Sequence, residues 1–158
     1  MSFPLNVLVW NIRGVSQPNS SRYLMNIFSS NDVHLLVLIE PIISASQLDS
    51  FRLKFKFDQA TSFLEGRIWF FWKNFMTCSF SILANQLVHA QIGLPSSLEV
   101  TFSALYAKHT RVGRQSLLWP LLWGFCKTHD FWHRFYYFIL FSQLIKKIKL
   151  LGKRKKKF

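Results

Sequence analysis

The sequence predicts an α+β fold with one mixed sheet that carries its helices on one face. A β-rich run at residues 5–10 ends in a turn-forming segment, Asn11-Ile12-Arg13-Gly14. Residues 20–29 have apolar positions three and four apart, which predicts the first helix. Beyond residue 54, apolar and polar residues alternate through several segments separated by turn residues, a pattern typical of adjacent strands.

The other elements are predicted from local pattern in the same way. A nearly continuous apolar run from Val33 to Ile39 ends in Glu40 and predicts a strand that is buried on both faces. Residues 45–52 are expected to form a short second helix. Residues 110–123 also look helical, although Pro120 should bend or break that helix. The remaining strands are predicted at 54–60, 67–73, 77–83, 87–93 and 99–106.

This predicted sheet has more apolar side chains than two or three short helices can cover. The excess residues are Trp69, Phe71, Phe80, Ile82, Val100 and Phe102. A sheet that is apolar on both faces requires a second layer, and the sequence shows no further set of strands to supply it. We therefore expect an exposed apolar sheet face, which favours self-association.

The charge of the chain is strongly positive and unevenly distributed. The 158 residues include 20 Lys+Arg and 7 Asp+Glu, which gives a formal net charge of +13. Residues 1–125 hold ten basic and six acidic residues, whereas residues 126–158 hold ten basic residues and one acidic residue. Such an excess indicates an anionic partner, either DNA or RNA or a lipid surface. The basic run at 153–157 is a candidate nuclear address or phosphate-binding segment, or else a solvated terminus.

Several classes of protein are disfavoured by the sequence. The first residues have no basic segment followed by a long apolar core, so they do not predict a secretory signal. The longest aromatic and apolar run, 135–145, is far shorter than the ~20 residues of a membrane-spanning helix, so no transmembrane segment is expected. Cys78 and Cys126 are too few for a disulfide framework or a zinc site, which favours an intracellular, reducing compartment.

Five short motifs lie in a fixed order between residues 5 and 123. Together they resemble the DNase I-like endonuclease/exonuclease/phosphatase family, and most closely the endonuclease domains of plant LINE-type (non-LTR) retrotransposons. The motifs are Trp10-Asn11-Ile12-Arg13-Gly14, Glu40 after the second strand, Gly66-Arg67-Ile68-Trp69, Leu105-Tyr106-Ala107 and Arg114-Gln115-Ser116-Leu117-Leu118-Trp119.

The resemblance implies Mg²⁺-dependent cleavage of phosphodiester bonds at a site with three principal residues. Glu40 and Asn11 would hold the Mg²⁺ ion, and Tyr106 would donate a hydrogen bond to a phosphate oxygen. The basic side chains expected to hold the substrate backbone weakly are Arg13, Lys108 and Arg111. Considered singly, each residue is better explained without a function: Asn11 as an ordinary turn residue, Glu40 as a solvated strand end and Tyr106 as a core residue. The spacing of the three together favours the family resemblance.

The chain departs from the family pattern after Trp123-Gly124-Phe125. The family continues with a Gly-Asp-Phe-Asn-like strand that helps to activate the attacking water, and ends with a Ser-Asp-His-like motif whose histidine contacts the phosphate. Neither motif occurs in this sequence. We therefore expect residues 1–125 to form a truncated domain of this family, and residues 126–158 to be an unrelated aromatic and basic tail that is poorly ordered.

These expectations combine into one fold and two alternative functions. The fold is an incomplete half of a four-layer α/β/β/α sandwich. The first function is that of a catalytically inactive remnant of a Mg²⁺-dependent DNA endonuclease domain. The alternative is a basic protein that binds nucleic acid or a membrane surface through its C-terminal tail.

Overall fold

The structure is a computed structural model that describes residues 5–95, 97 and 99–106, together with the backbone of residues 146–150. A 3₁₀ turn at Ala45–Gln47 precedes the second helix. The elements of this part of the chain are, in order, β1 (Leu5–Asn11), α1 (Pro18–Ser30), β2 (Leu35–Ile39), α2 (Leu48–Lys54), β3 (Gln59–Phe63), β4 (Ile68–Trp72), β5 (Thr77–Ala84), β6 (Leu87–Gly93), β7 (Glu99–Leu105) and β8 (Lys146–Leu150).

The described strands form two sheets rather than one. The larger sheet has the order β3-β4-β2-β1-β8, and the smaller sheet has the order β5-β6-β7. Strands β1 and β2 are parallel, whereas every other described pair is antiparallel. The α+β fold class is confirmed, but the prediction of a single mixed sheet was wrong.

The second layer that the sequence seemed to lack is the sheet of β5, β6 and β7. Alternate residues of the larger sheet, such as Val37 and Phe70, pack against alternate residues of the smaller one, such as Ala90 and Phe102, in one buried cluster. These four side chains are all 2% exposed or less. The expected exposed apolar sheet face was therefore wrong, because the smaller sheet covers it.

The opposite face of the larger sheet packs against the helices. Trp69 and Phe71 of β4, both 0% exposed, lie in a second cluster with Leu24 of α1 and Phe51 of α2. Both described helices thus cover the same face, as predicted. Trp69 and Phe71 face these helices and contribute nothing to an exposed patch.

The strand predicted at 54–60 was also wrong. Helix α2 continues to Lys54, the amide of Phe55 donates to the carbonyl of Phe51 at 2.9 Å, and β3 begins only at Gln59. Phe51 and Phe55 are four residues apart, which places them on one side of a helix, and their ring centroids lie 5.5 Å apart. Of the apolar residues in the predicted alternation, Phe55 therefore caps this helix and Phe57 lies in the connection to β3.

Part of the predicted tail contributes a strand to the larger sheet. Residues 146–150 form β8, which pairs antiparallel with β1 from Leu5↔Leu150 to Val9↔Lys146. The boundary at residue 125 stays a prediction, and the helix predicted at 110–123 lies outside the described residues. None of the helices in the described ranges is long and apolar enough to cross a lipid bilayer.

The packing of the two sheets can be tested at Phe102, which is 2% exposed between them. We expect Phe102→Ala to lower the free energy of unfolding by about 3–5 kcal/mol, because it leaves a cavity in a buried cluster. Urea unfolding measures the change. The matched control is Ile82→Ala in the same sheet, where the side chain is 58% exposed and the expected change is within ~0.5 kcal/mol. Equal, small losses for both variants would contradict the two-sheet packing.

Candidate functional site

An open cleft of about 700 Å³ lies at one rim of the two sheets. Its walls come from the loops that follow β1 and β2, the loop that precedes β4, and the residue that follows β7. The residues that line it are Arg13, Glu40, Pro41, Ile42, Ile43, Glu65, Gly66, Arg67 and Tyr106.

Sheet topology brings these loops together. Strands β1 and β2 are parallel and end side by side, and β4 is antiparallel to β2, so β4 begins where β2 ends. Backbone hydrogen bonds then join the loops: the amide of Gly14 donates to the carbonyl of Glu40 at 3.0 Å, that of Val15 to Pro41 at 2.9 Å, and that of Glu40 to Arg67 at 2.9 Å. These hydrogen bonds hold the three loops against one another.

The backbone of the cleft is held in an unusual conformation. Four of the seven described non-glycine residues with positive φ line it, and Gly66 also has a φ of 81°. Left-handed backbone costs energy for residues with a side chain, and it recurs at functional sites where the surrounding structure holds it in place. The four residues are Arg13, Glu40, Ile42 and Glu65.

The structure places some of the predicted site residues in this cleft and others elsewhere. Glu40, Tyr106 and Arg13 line it. Asn11 of β1 pairs with Ile39 of β2, the residue before Glu40. Asn11 is not among the described residues that line the cleft. Lys108 and Arg111 lie outside the described residues. The roles of all these residues stay predictions.

Arg13 and Glu40 form an ion pair in the cleft. Arg13 Nε lies 3.5 Å from Glu40 Oε2, and the Glu40 side chain is 10% exposed whereas that of Arg13 is 54% exposed. The pair therefore joins a largely buried carboxylate to a guanidinium that is accessible from solvent.

Arg67, which the sequence analysis did not single out as a site residue, has its guanidinium 5.1 Å from the centroid of the Tyr106 ring. Its motif was recognised, but its position beside Glu40 depends on the pairing of β2 with β4. That pairing joins Ile39 to Ile68, so the residue after β2 faces the residue before β4. Only the antiparallel register of β2 and β4 indicates this position, and the local sequence pattern does not reveal that register.

The donor set can be tested against the Mg²⁺ ion that the resemblance implies. Within the described ranges, no group of three or more His, Cys, Asp or Glu side chains is arranged to hold a metal ion. Glu40 offers one carboxylate at the cleft, with Asn11 on the neighbouring strand. Mg²⁺ commonly binds through one or two carboxylates while waters and substrate phosphates complete its shell, so these residues fit such an ion only in that way.

Comparisons with known proteins identify the fold. No protein-family model matches the chain, and no curated protein matches it either. Among solved structures, humanized TDP2 of D. rerio aligns with a TM-score of 0.60 at 15% identity, over 79% of this chain and 61% of that one. The endonuclease domain of TRAS1, a telomere-specific non-LTR retrotransposon, aligns with a TM-score of 0.55 at 12% identity, over 87% and 60%. An AP endonuclease from Archaeoglobus fulgidus aligns with a TM-score of 0.54 at 14% identity, over 80% and 52%.

The chain therefore has the DNase I-like fold of endonuclease/exonuclease/phosphatase proteins, which confirms the resemblance seen in its motifs. At identities of 12–15% this likeness shows the fold alone. The chain spans between 52% and 61% of the lengths of these three proteins.

The backbone strain of the cleft can be measured at Ile42, a β-branched residue with a φ of 55° and a side chain that is largely exposed. Relief of left-handed strain, roughly 1–2 kcal/mol, exceeds the extra chain entropy of glycine, roughly 0.5–1 kcal/mol. Ile42→Gly should therefore raise the free energy of unfolding in a urea titration. Ile42→Val, which keeps the branched side chain, should leave it unchanged. A Gly variant no more stable than the Val variant would contradict the strain.

Proposed function

We propose that this chain is an inactive remnant of a Mg²⁺-dependent endonuclease domain whose cleft still binds the phosphate backbone of nucleic acid. The observation that carries the proposal is the cleft at the rim of the two sheets, which Arg13, Arg67 and Tyr106 line together with Glu40, the carboxylate that pairs with Arg13. The DNase I-like fold supports it, as does the D. rerio TDP2 structure of this fold that was determined with a single-stranded DNA product.

Binding would rest on charge and on hydrogen bonds to phosphate oxygens. The side chains of Arg13 and Arg67 are 54% and 48% exposed, so both can reach a bound anion without unfolding the loops. Lysine and arginine that neutralise phosphates release counterions, which makes such binding weaken as salt rises. Tyr106 would add a hydrogen bond from its hydroxyl group.

A Mg²⁺ ion would be held by Glu40, with Asn11 beside it, and the substrate phosphate would complete the ligand set. When bound, such an ion polarises the phosphate and stabilises the leaving oxygen. Arg13, which pairs with Glu40, would offset the repulsion between that carboxylate and the phosphate backbone. The same carboxylate remains available to a hard cation.

The proposal of inactivity rests on the residues that the sequence lacks. The 158 residues contain neither a Gly-Asp-Phe-Asn-like motif nor a Ser-Asp-His-like motif. Removal of the groups that activate water and contact the phosphate commonly costs several kcal/mol of transition-state stabilisation, and each tenfold loss in rate corresponds to about 1.4 kcal/mol. Binding groups without these partners hold a phosphodiester but do not cleave it.

A plasmid nicking assay with MgCl₂ tests the proposed inactivity. We expect the chain and its Glu40→Ala variant to convert supercoiled plasmid at the same background rate, because the sequence lacks the Gly-Asp-Phe-Asn-like motif that helps to activate the attacking water. A filter-binding measurement on the same samples should detect DNA binding that weakens with added salt. Cleavage that the Glu40→Ala variant abolishes would contradict the remnant proposal.

The C-terminal tail is a second candidate for nucleic-acid or membrane-surface binding. The observation that favours it is the charge distribution, because residues 126–158 hold ten basic residues and one acidic residue. Deleting this segment would also remove β8 and its pairing with β1, so truncation does not isolate the charge. Neutralising the terminal basic run is a cleaner change.

Replacing Lys153, Arg154, Lys155, Lys156 and Lys157 together by glutamine separates the two candidates. We expect this variant to keep salt-dependent binding to DNA, because the cleft supplies the specific contacts. Adding Arg13→Gln to the same variant should weaken that binding further. Fluorescence anisotropy with a labelled oligonucleotide measures both, and sedimentation with anionic phospholipid vesicles tests the membrane alternative. Complete loss of DNA binding on neutralising the tail would favour the alternative function.

A further inference from the structure

We infer that Arg67 is a phosphate-binding residue of the cleft and that the ring of Tyr106 acts as the platform that positions its guanidinium. This inference rests on the proposed function, since it names the contact that would hold the phosphodiester. It gives Tyr106 a second role besides donation by its hydroxyl group, because the face of its ring would position Arg67.

The backbone of Arg67 is anchored on both sides. Its carbonyl accepts a hydrogen bond from the amide of Glu40 at 2.9 Å, and its amide donates to the carbonyl of Leu64 at 3.1 Å. The next residue, Ile68, pairs with Ile39 in the antiparallel ladder of β2 and β4. The start of the Arg67 side chain is therefore held beside the loop that carries Glu40.

The side chain is held by stacking rather than by a strong ion pair. The guanidinium lies 5.1 Å from the Tyr106 ring centroid, within the range of a cation–π contact. Arg67 Nη2 lies 3.9 Å from Glu65 Oε2, and the side chain of Glu65 is 89% exposed. A pair so long and so exposed to solvent neutralises little of the charge on Arg67.

The contact with the ring leaves the guanidinium available to a ligand, because the Arg67 side chain is 48% exposed. The N–H donors of a guanidinium lie in its plane and point away from its edges. Those donors match the oxygens of a phosphate in a two-pronged contact. Lysine has neither the planar face nor the fork of donors, so it would keep the charge but lose the placement.

Tyr106 is itself positioned by the smaller sheet. Its amide donates to the carbonyl of Gln86 at 2.8 Å, and its partly buried side chain packs against the cluster between the sheets. The platform is thus continuous with the core of the molecule. A guanidinium resting on it loses less freedom on binding than a free surface arginine would.

The test measures binding of a fluorescein-labelled single-stranded DNA oligonucleotide to the full chain by anisotropy, without divalent metal ions. The measurement is repeated in the variant with residues 153–157 replaced by glutamine, which removes tail binding as a background. Arg67→Gln should weaken binding about tenfold and reduce the slope of log affinity against log salt by about 0.7, the value for one phosphate contact on a single strand. Arg22→Gln, an equal change of charge at an exposed position on α1, is the matched control and should change affinity less than twofold.

Companion variants separate charge from placement. Arg67→Lys should restore the salt slope but not the affinity. In a Tyr106→Phe background, which keeps the ring, Arg67→Gln should still weaken binding about tenfold. In a Tyr106→Leu background, which removes the ring, the same change should cost less than twofold. Thermal melts of each variant check that the fold is retained.

Three results would overturn the inference. Arg67→Gln could bind as the Arg22→Gln control does, Arg67→Lys could bind as the unmodified chain does, or the effect of Arg67→Gln could be unchanged in the Tyr106→Leu background. Each of these would leave the proposed function standing where the variant with residues 153–157 replaced by glutamine still binds DNA. Absence of salt-dependent binding by that variant would instead refute the proposed function, and this inference with it.

Discussion

Face-to-face packing of the two sheets is the interaction that brings Tyr106, which follows a strand of the smaller sheet, to the cleft residues of the larger sheet. Phe70 of β4 and Phe102 of β7 meet in the buried cluster, with ring centroids 6.4 Å apart. Strand β4 begins immediately after Arg67, and β7 ends immediately before Tyr106. The apolar contact that buries the two phenylalanines therefore also brings the arginine onto the tyrosine ring, so stability and the proposed binding site have one origin.

The backbone at the rim of the cleft is strained. The amide of Glu40 donates to the carbonyl of Arg67, and the carbonyl of Glu40 accepts from Gly14, so a residue with a φ of 56° is held from both sides. Strained backbone persists only where the surrounding structure determines it. The result is a cleft in which two carboxylates, Glu40 and Glu65, and two guanidiniums, Arg13 and Arg67, lie on a backbone fixed by hydrogen bonds.

Local pattern predicted the elements of this fold better than their assembly. The strand ends at Asn11 and Glu40, the first helix and the meander of β5, β6 and β7 follow from periodicity and turn residues. Alternation indicates which side chains share a face, but it does not indicate which sheet a strand joins. Phe80 was predicted to lie in the same sheet as Phe70. It belongs instead to β5 of the smaller sheet, and its ring centroid lies 4.9 Å from that of Phe70 across the interface between the two sheets. Arg67 was missed for the same reason, since its neighbours are set by strand order.

Hydrogen–deuterium exchange with and without a single-stranded DNA oligonucleotide tests the central claim, binding at the cleft, most directly. Amides in left-handed loops at the rim should exchange more slowly when a phosphate backbone covers them. The account predicts slower exchange on DNA binding in the peptides that contain residues 12–15, 40–43 and 64–67. Slower exchange confined to residues 126–158, with the rim unchanged, would contradict it.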